Sequence, residues 1–459
     1  MESRGNRITG DGCDRDWIWE REIETATAED AFRLASSAWE RQFRRLREAS
    51  LFYSRKFREA GLGSTFVGLG DLAKLPFTTK DEFRPGLQDD PPFGTNLCVE
   101  PNKVKRVYQT SGTTGSPSVL ALTRADMETW TVMGTRTYYT TGIHEHSSVL
   151  TTFGAGPFVA GHTHFALLRI GSRTLPVAPG DTERVLFALS SGLADTLLAT
   201  ASFAQYLANR LDGKVPSPLR GESQGGGLKP GLTHVVTGGE PGGGIPEIRD
   251  HIEKVLGVTV TEVMGIGDVA PSLFGECPHQ QGMHFCGVGH VWPELIDPKT
   301  LEPMQIETGA VGELVYTSLT REAMPVVRFR GGDIVRIEGT SCECERTTFR
   351  MRVIGRRDDV FIVRGVNVYP SAILSVVGGF RPRATGRARV IRKKGEVSVT
   401  PPVPIEVEVP NGHDSDRSLA AEIAEAIHSK LVFRSQVMLV PEADFGESGY
   451  KTRLTVNRP

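Results

Sequence analysis

The stretch GGEPGGGIPEIRDHIEKVLGVTVTEVMGIGD, Gly238–Asp268, carries the reading of the fold. Pro246 suits the first turn of a helix, where a missing backbone N–H costs nothing. Ile248, Ile252, Val255 and Leu256 then fall on one face, and Gly257 ends the helix before a strand over Val258–Val263. GGEP and MGIGD lie just outside this unit, on loops at element ends. Elsewhere apolar runs such as Ser148–Phe153 and Thr233–Thr237 alternate with helical patterns. The fold class is therefore α/β, with sheets covered by helices.

Other segments extend this reading. Thr27-Ala-Glu-Asp30 reads as a capping box, and Phe32, Ala35, Trp39, Phe43 and Leu46 follow as the apolar stripe of an amphipathic helix. The last hundred residues change character: charged strands such as Arg387–Lys394, a Pro-rich link (TPPVPIEVEVP) and a polar-capped helix over Leu419–Leu431. They read as a small α+β domain, residues 358–459, joined to a large domain over residues 1–357.

At 459 residues the chain is long enough for two or three domains. Its 53 basic and 55 acidic residues leave a formal charge of −2, so no global field points to nucleic acid or a membrane surface. The first thirty residues carry charges throughout, and no segment approaches ~20 uninterrupted apolar residues. A soluble, cytoplasmic protein is expected. Six cysteines in so long a chain do not make a disulfide scaffold, yet four gather between positions 277 and 344.

Tyr108–Leu120, YQTSGTTGSPSVL, is dense in small residues and hydroxyls. Successive Gly, Ser and Thr let backbone N–H groups and hydroxyls converge on an anion. The stretch is not a Walker A loop, because Ser116 and Pro117 follow Gly115 where that pattern needs Lys and Ser or Thr. By itself it fits a phosphate loop and a flexible linker equally.

Its company decides between them. SGTTG-x-P resembles the phosphate loop of the adenylate-forming superfamily. LPFTTKDEFR (Leu75–Arg84), GGEP, TSLTREAMPVVRFRGGDI and GRRDDVFIVRGVNVYPS follow in the order of its phenylacetate–coenzyme A ligase-like branch. The resemblance runs from about Leu75 to Lys451. It implies an AMP-forming ligase that activates a carboxylic acid with ATP as an acyl-AMP and passes the acyl group to a thiol, with Mg²⁺ as cofactor. It implies that Thr110, Ser111, Gly112, Thr113, Thr114 and Gly115 hold the ATP phosphates, and that Gly238, Gly239, Glu240 and Pro241 lie along the adenine. Asp333 would accept from the ribose hydroxyls. Arg356 would lie near the ribose, and Asp358 would be the hinge on which the small domain swings between two half-reactions.

The sequence departs from the family pattern in three places. Where the family has Tyr-Gly-Leu/Met-Thr-Glu, this chain has Met264-Gly265-Ile266-Gly267-Asp268. Met264 and Gly265 keep the loop's place beside the nucleotide, the threonine hydroxyl is missing, and Asp268 is left to reach the magnesium with a shorter side chain. The lysine often found after the phosphate loop's last glycine is Ser116. The catalytic lysine of Gly-Lys-x-x-Arg stands one place late, as Lys451, and in an extended segment one step turns a side chain to the opposite face.

Cys277-x6-His284 and Cys342-Glu-Cys344 supply three sulfurs and one imidazole, ligands suited to tetrahedral Zn²⁺. His279 or Cys286 could replace one of them. The branch resembled here includes members that bind structural zinc through such segments, which implies Cys277, His284, Cys342 and Cys344 as ligands.

Phe153-Gly154-Ala-Gly-Pro-Phe158 corresponds to the stretch lining the acid pocket, and aromatic walls with glycines fit an aromatic acid. His162 and His164 follow closely and could meet the acid, although such histidines are more often packing residues. Arg381, Arg383, Arg387, Arg389, Arg392, Lys393 and Lys394 make the small domain locally basic, as a solvated face or as a dock for coenzyme A or an acidic carrier protein. Two alternatives stay open: the same activation with another acceptor (a carrier-protein thiol, an amine, or nitrite activated for diazotisation), and a non-catalytic AMP-binding relative. A homodimer is left open as well.

Overall fold

The computed structural model describes residues 17–63, 65–109, 119–154, 156–178, 180–211, 231–364, 366–393, 398–445 and 454–458. Its centre is a twelve-stranded sheet whose two halves meet at the strand Thr259–Ile266. On one side Thr259–Ile266, His234–Gly238, Thr196–Ala199, Ser148–Thr151 and Arg173–Pro176 lie side by side, all parallel. On the other, Ala270–Glu276 pairs antiparallel with Thr259–Ile266, and six further antiparallel strands follow, among them Met283–Phe285, Arg350–Arg356 and Phe329–Gly339.

The parallel half is apolar on both faces because helices cover both. Leu150, Leu197, Val235 and Val260 share one row and pack on the helices Thr182–Ser190, Ala201–Leu211 and Pro246–Leu256. Leu198, Val236 and Val263 face the other side, against Tyr138, Leu167 and Ile170. The helix Pro246–Leu256 ends at Gly257 with φ of 68°, as the sequence predicts. The strand after it runs to Ile266, so Met264 and Gly265 stand on the strand and not on the loop expected for them.

The helix Ala28–Ala49 is capped by Thr27, whose hydroxyl accepts from the Asp30 N–H at 3.1 Å. Ala35, Trp39, Phe43 and Leu46 are buried. Phe32 departs from the expected stripe: it is 41% exposed and meets the edge of Trp292.

Residues after Val360 build a second core on a four-stranded sheet, ordered Ser435–Pro441, Val403–Val409, Ala388–Lys393, Thr455–Arg458. Its helices are Pro370–Gly378 and Arg417–Leu431, the latter capped by Asp416. Three of the seven residues of the expected basic face pair within this domain, Arg383 with Glu422, Arg387 with Glu408 and Arg389 with Glu406, and Lys394 lies outside the described residues. Arg381 reaches across to the Glu247 carbonyl at 3.0 Å, and Gln205 donates to the Thr385 carbonyl at 2.6 Å, so this core rests on the helices Ala201–Leu211 and Pro246–Leu256. Among the described residues, no helix is long and apolar enough to cross a membrane.

Candidate active site

In parallel sheets, ligands gather beyond the strands' carboxyl ends, most of all where strand order or direction changes. Gly238 closes the strand His234–Gly238 opposite Val263. A Cβ there would lie 2.7 Å from Val263 Cγ2, so only glycine fits, and the Phe153 ring stands 3.8 Å from the same point. Gly239 turns the chain at φ of 84°. Glu240 then accepts from the Ser202 N–H at 2.7 Å, its carboxylate meeting the first turn of the helix Ala201–Leu211.

The same rim continues along the next strand. Gly265 sits at a register shift, and a Cβ on it would fall 1.9 Å from the Pro271 carbonyl. Ile266 lies against Gly331, which precedes Gly332 and Asp333. Asp333 is paired in register with Arg356, and Arg356 donates to Asp333 at 3.0 Å. The guanidinium also forks onto both oxygens of Asp358, at 3.0 and 3.1 Å. Burial works against the Arg356 charge, but the two carboxylates more than offset it and hold the group above its ordinary value. Burial, with Asp333 and Glu313 beside it, pushes the Tyr316 hydroxyl well up. Phe153, Gly238, the strand Thr259–Ile266, Asp333, Arg356 and Asp358 thus form one continuous rim.

Asp268 follows this strand with a mostly buried side chain, and Lys80 stands 3.5 Å from its carboxylate. The buried Arg321 donates to the Asp268 carbonyl. Neither Lys80 nor Arg321 was assigned a role from sequence, although both lie in motifs that carry the family resemblance; a lysine before an acidic pair gives no signal of its own.

Phe153 is buried, and its carbonyl pairs with His164 Nε2 at 2.9 Å. Gly154 follows it. Phe158 is 36% exposed and bridges to Gln109, whose N–H donates to the Pro157 carbonyl at 2.7 Å. His162 is engaged inside the protein: Nδ1 faces the Tyr108 hydroxyl at 3.3 Å, and Nε2 lies 3.1 Å from both the Thr131 hydroxyl and the Met127 carbonyl. Burial pushes its pKa down to about 4, with the Met127 carbonyl opposing, so the ring is neutral. Thr110, Ser111, Gly112, Thr113, Thr114, Gly115 and Lys451 lie outside the described residues. Leu454, three positions after Lys451, shares one gap with Glu240 and Pro241.

A second group lies across the sheet. The pairing of Arg350 with His284 brings the two cysteine segments together, and the ligand atoms of Cys277, His284, Cys342 and Cys344 all lie within 4.8 Å of one another. Cys277 Sγ is 3.7 Å from Cys342 Sγ, and Cys344 Sγ is 3.3 Å from His284 Nε2. His279 faces Glu343 instead, and Cys286 is buried beside Thr140, its thiol pushed up to about 11 by burial. Neither belongs to the group.

No family model matches the chain. It is 32% identical over 428 residues to a phenylacetate–coenzyme A ligase of Thermus thermophilus, covering 92% of this chain and 91% of that one. It is 29% identical over 428 residues to the phenylacetate–coenzyme A ligase of Escherichia coli K12, covering 91% and 92%. Among solved structures, a 2-hydroxyisobutyryl-CoA ligase in the postadenylation state, in complex with R3-HIB-AMP, superposes with a TM-score of 0.85 at 23% identity, over 100% of this chain and 95% of that one. The same ligase with 2-HIB-AMP and CoA in the thioesterification state gives 0.68 at 24% identity, with the same coverage.

Proposed function

Since the chain belongs to the phenylacetate–coenzyme A ligase family, we propose that it activates a carboxylic acid with ATP as an acyl-AMP and passes the acyl group to coenzyme A. The observation that carries this reading is the continuous rim from Phe153 through Gly238 to Asp333 and Arg356. It sets an apolar wall beside a glycine turn and a paired carboxylate, as a mixed anhydride of an acid and a nucleotide requires.

In this reading Gly238, Gly239, Glu240 and Pro241 lie along the base, with Met264 and Gly265 beneath it. Asp333 accepts from the ribose hydroxyls, and Arg356 holds Asp333 in place. Thr110, Ser111, Gly112, Thr113, Thr114 and Gly115 hold the phosphates. Phe153, Gly154 and Phe158 line a pocket for an aromatic acid. His162 backs that pocket, its nitrogens already engaged, and His164 orients the Phe153 carbonyl.

Asp268, with a hard carboxylate oxygen, would hold Mg²⁺, and the ion would supply positive charge to offset that of the nucleotide phosphates. Lys80 adds a second positive charge on the same side. Lys451 would neutralise the reacting carboxylate and α-phosphate.

Residues 1–357 would form the ATP- and acid-binding domain and residues 358–459 the lid, with Asp358 as hinge. The greater likeness to the postadenylation state than to the thioesterification state supports two arrangements of these parts.

The Cys277, His284, Cys342 and Cys344 group fits Zn²⁺. Vertices of a tetrahedron about 2.3 Å from a metal are about 3.8 Å apart, and here one sulfur–sulfur pair lies at 3.7 Å and one sulfur–nitrogen pair at 3.3 Å, with all four ligand atoms within 4.8 Å of one another. Four protein ligands close the site, so its metal would tie loops together and take no part in the chemistry.

Pyrophosphate release from ATP, with and without coenzyme A, across a panel of aromatic acids and with nitrite plus an aryl amine, tests the reading. Acid-dependent release that yields a thioester supports it. Release without thioester moves the acceptor elsewhere, and AMP binding without release makes the protein a non-catalytic relative.

A further inference from the structure

Two arginines connect the glycine loop beyond Pro241 to the segment between Cys277 and His284. Arg249 Nε donates to the Gly243 carbonyl at 2.8 Å, and an Arg352 terminal nitrogen donates to the Gly244 carbonyl at 2.8 Å. The other terminal nitrogen of Arg352 reaches the Gln280 carbonyl at 2.8 Å, and Arg249 reaches the same oxygen at 3.5 Å. Gln280 is held from two sides: its N–H donates to the Cys277 carbonyl at 2.9 Å, with φ of 54°, and its side-chain amide donates to Glu253 at 2.6 Å and to the Val260 carbonyl at 2.7 Å. Glu276, 1% exposed, pairs with Arg249, stands 3.6 Å from Arg352 and accepts from the Gly282 N–H at 3.2 Å.

The glycine loop has little room to move within this frame. A Cβ on Gly243 would fall 1.8 Å from Thr237 Oγ1, and one on Gly244 would fall 2.5 Å from Glu262 Oε2. The loop's height beyond the sheet is therefore set by the carbonyls that the arginines hold. Those arginines take their bearing from Gln280 and Glu276, which flank Cys277.

We infer that Arg352, with Arg249, is a positioning residue that makes the order of the Cys–His group set the nucleotide affinity of the Gly238–Gly244 loop. The inference rests on the nucleotide and metal readings above. Coupling of two sites is reciprocal, so bound nucleotide must in turn hold the metal more tightly. Arg352 is the one to change, because Glu276 keeps Arg249 as a partner when it is lost.

The experiment uses the full chain and two probes: AMP affinity by calorimetry, and zinc affinity by equilibrium competition with a chromogenic chelator, with and without AMP. In the wild type, AMP should tighten zinc binding about fivefold or more against the chelator. Arg352→Met should weaken AMP binding about tenfold and remove that tightening, with zinc content and melting temperature kept. Arg352→Lys keeps the charge near Glu276 but replaces the two nitrogens that reach Gly244 and Gln280 separately with a single one, so it should behave like Arg352→Met. Wild-type AMP affinity in Arg352→Met, full recovery in Arg352→Lys, or zinc affinity indifferent to AMP in the wild type would each overturn the inference. A wild type that binds no AMP, or holds less than about half a zinc per chain, overturns it through the corresponding premise, and the two are told apart before any variant is made.

Discussion

The ammonium of Lys80 lies 3.5 Å from the carboxylate of Asp268. It is aimed there by its backbone: the Thr78 N–H donates to the Arg328 carbonyl and the Arg330 N–H to the Thr78 carbonyl, so the Lys80–Glu82 turn is fastened to the strand Phe329–Gly339. The family pattern places a glutamate where Asp268 stands and a lysine where Ser116 stands. A second cation beside a shortened carboxylate bears on both departures.

Lys80→Ala should lower acid-dependent pyrophosphate release by about 10²-fold, the usual cost of losing one charge-stabilising donor, with AMP affinity changed less than about threefold. Steady-state rates beside an AMP titration check this. Release at the wild-type rate would leave Lys80 a surface partner of Asp268 and nothing more.

Asp333→Ala should weaken AMP binding by about 10- to 100-fold, since hydrogen bonds to a charged group are worth roughly 1.5–3 kcal/mol. The melting temperature should hardly move, because Arg356 keeps its fork onto Asp358. Calorimetry with AMP decides; unchanged affinity would place the ribose elsewhere.

Lys451→Ala should depress adenylate formation by about 10²-fold or more and leave ATP binding nearly intact. Single-turnover formation of acyl-AMP is the measurement. Normal formation would remove Lys451 from the catalytic residues despite its place before Leu454.

Freshly purified protein should contain close to stoichiometric zinc, and Cys344→Ser should lower both zinc content and melting temperature. A closed structural site contributes on the order of 10 kcal/mol in small domains, so chelation should loosen the segments around Cys277 and Cys342 first. Hydrogen exchange there, unaltered by chelator, would count against the metal.

Glu262 gives a pH test. Burial, then the neighbouring Glu276 charge, pushes its pKa from 4.5 up to about 7, while Arg249 and Arg352 oppose the shift. The fold therefore prefers the protonated form. This contribution to stability is full below pH 4.5 and is lost as pH rises to about 7. Glu262→Gln keeps the protonated shape, so it should melt several degrees above the wild type near pH 8 and level with it near pH 4.5. A difference constant across pH would rule out this assignment.

The helix–strand unit over Pro246–Ile266 was legible because its periodicity, proline start and glycine stop all agree. Phe32 was not: it occupies the right helical position, yet the contact available to it is the Trp292 edge on the surface. The arginine cluster from Arg381 to Arg392 reads as an open basic face until the adjacent strand sets Glu406 and Glu408 opposite Arg389 and Arg387. The ligand types at Cys277, His284, Cys342 and Cys344 were plain, but their meeting depends on the His284–Arg350 pairing, a long-range contact that local sequence does not encode. Lys80 shows the same limit, since its partner Asp268 is distant in the chain.

The change of strand direction at Thr259–Ile266 bears on how the chain reaches this state. All five parallel strands lie within residues 148–266, and the antiparallel ones of the large sheet within 270–356. During synthesis the parallel block emerges first, with the strand Arg173–Pro176 at one edge and the strand Thr259–Ile266 open at the other. Ala270–Glu276 emerges next and covers that edge through a short connection, a fast local event beside the crossovers that build the parallel half. The slow search then falls on the parallel crossovers and on one later closure, His284 against Arg350, which also joins the two cysteine segments.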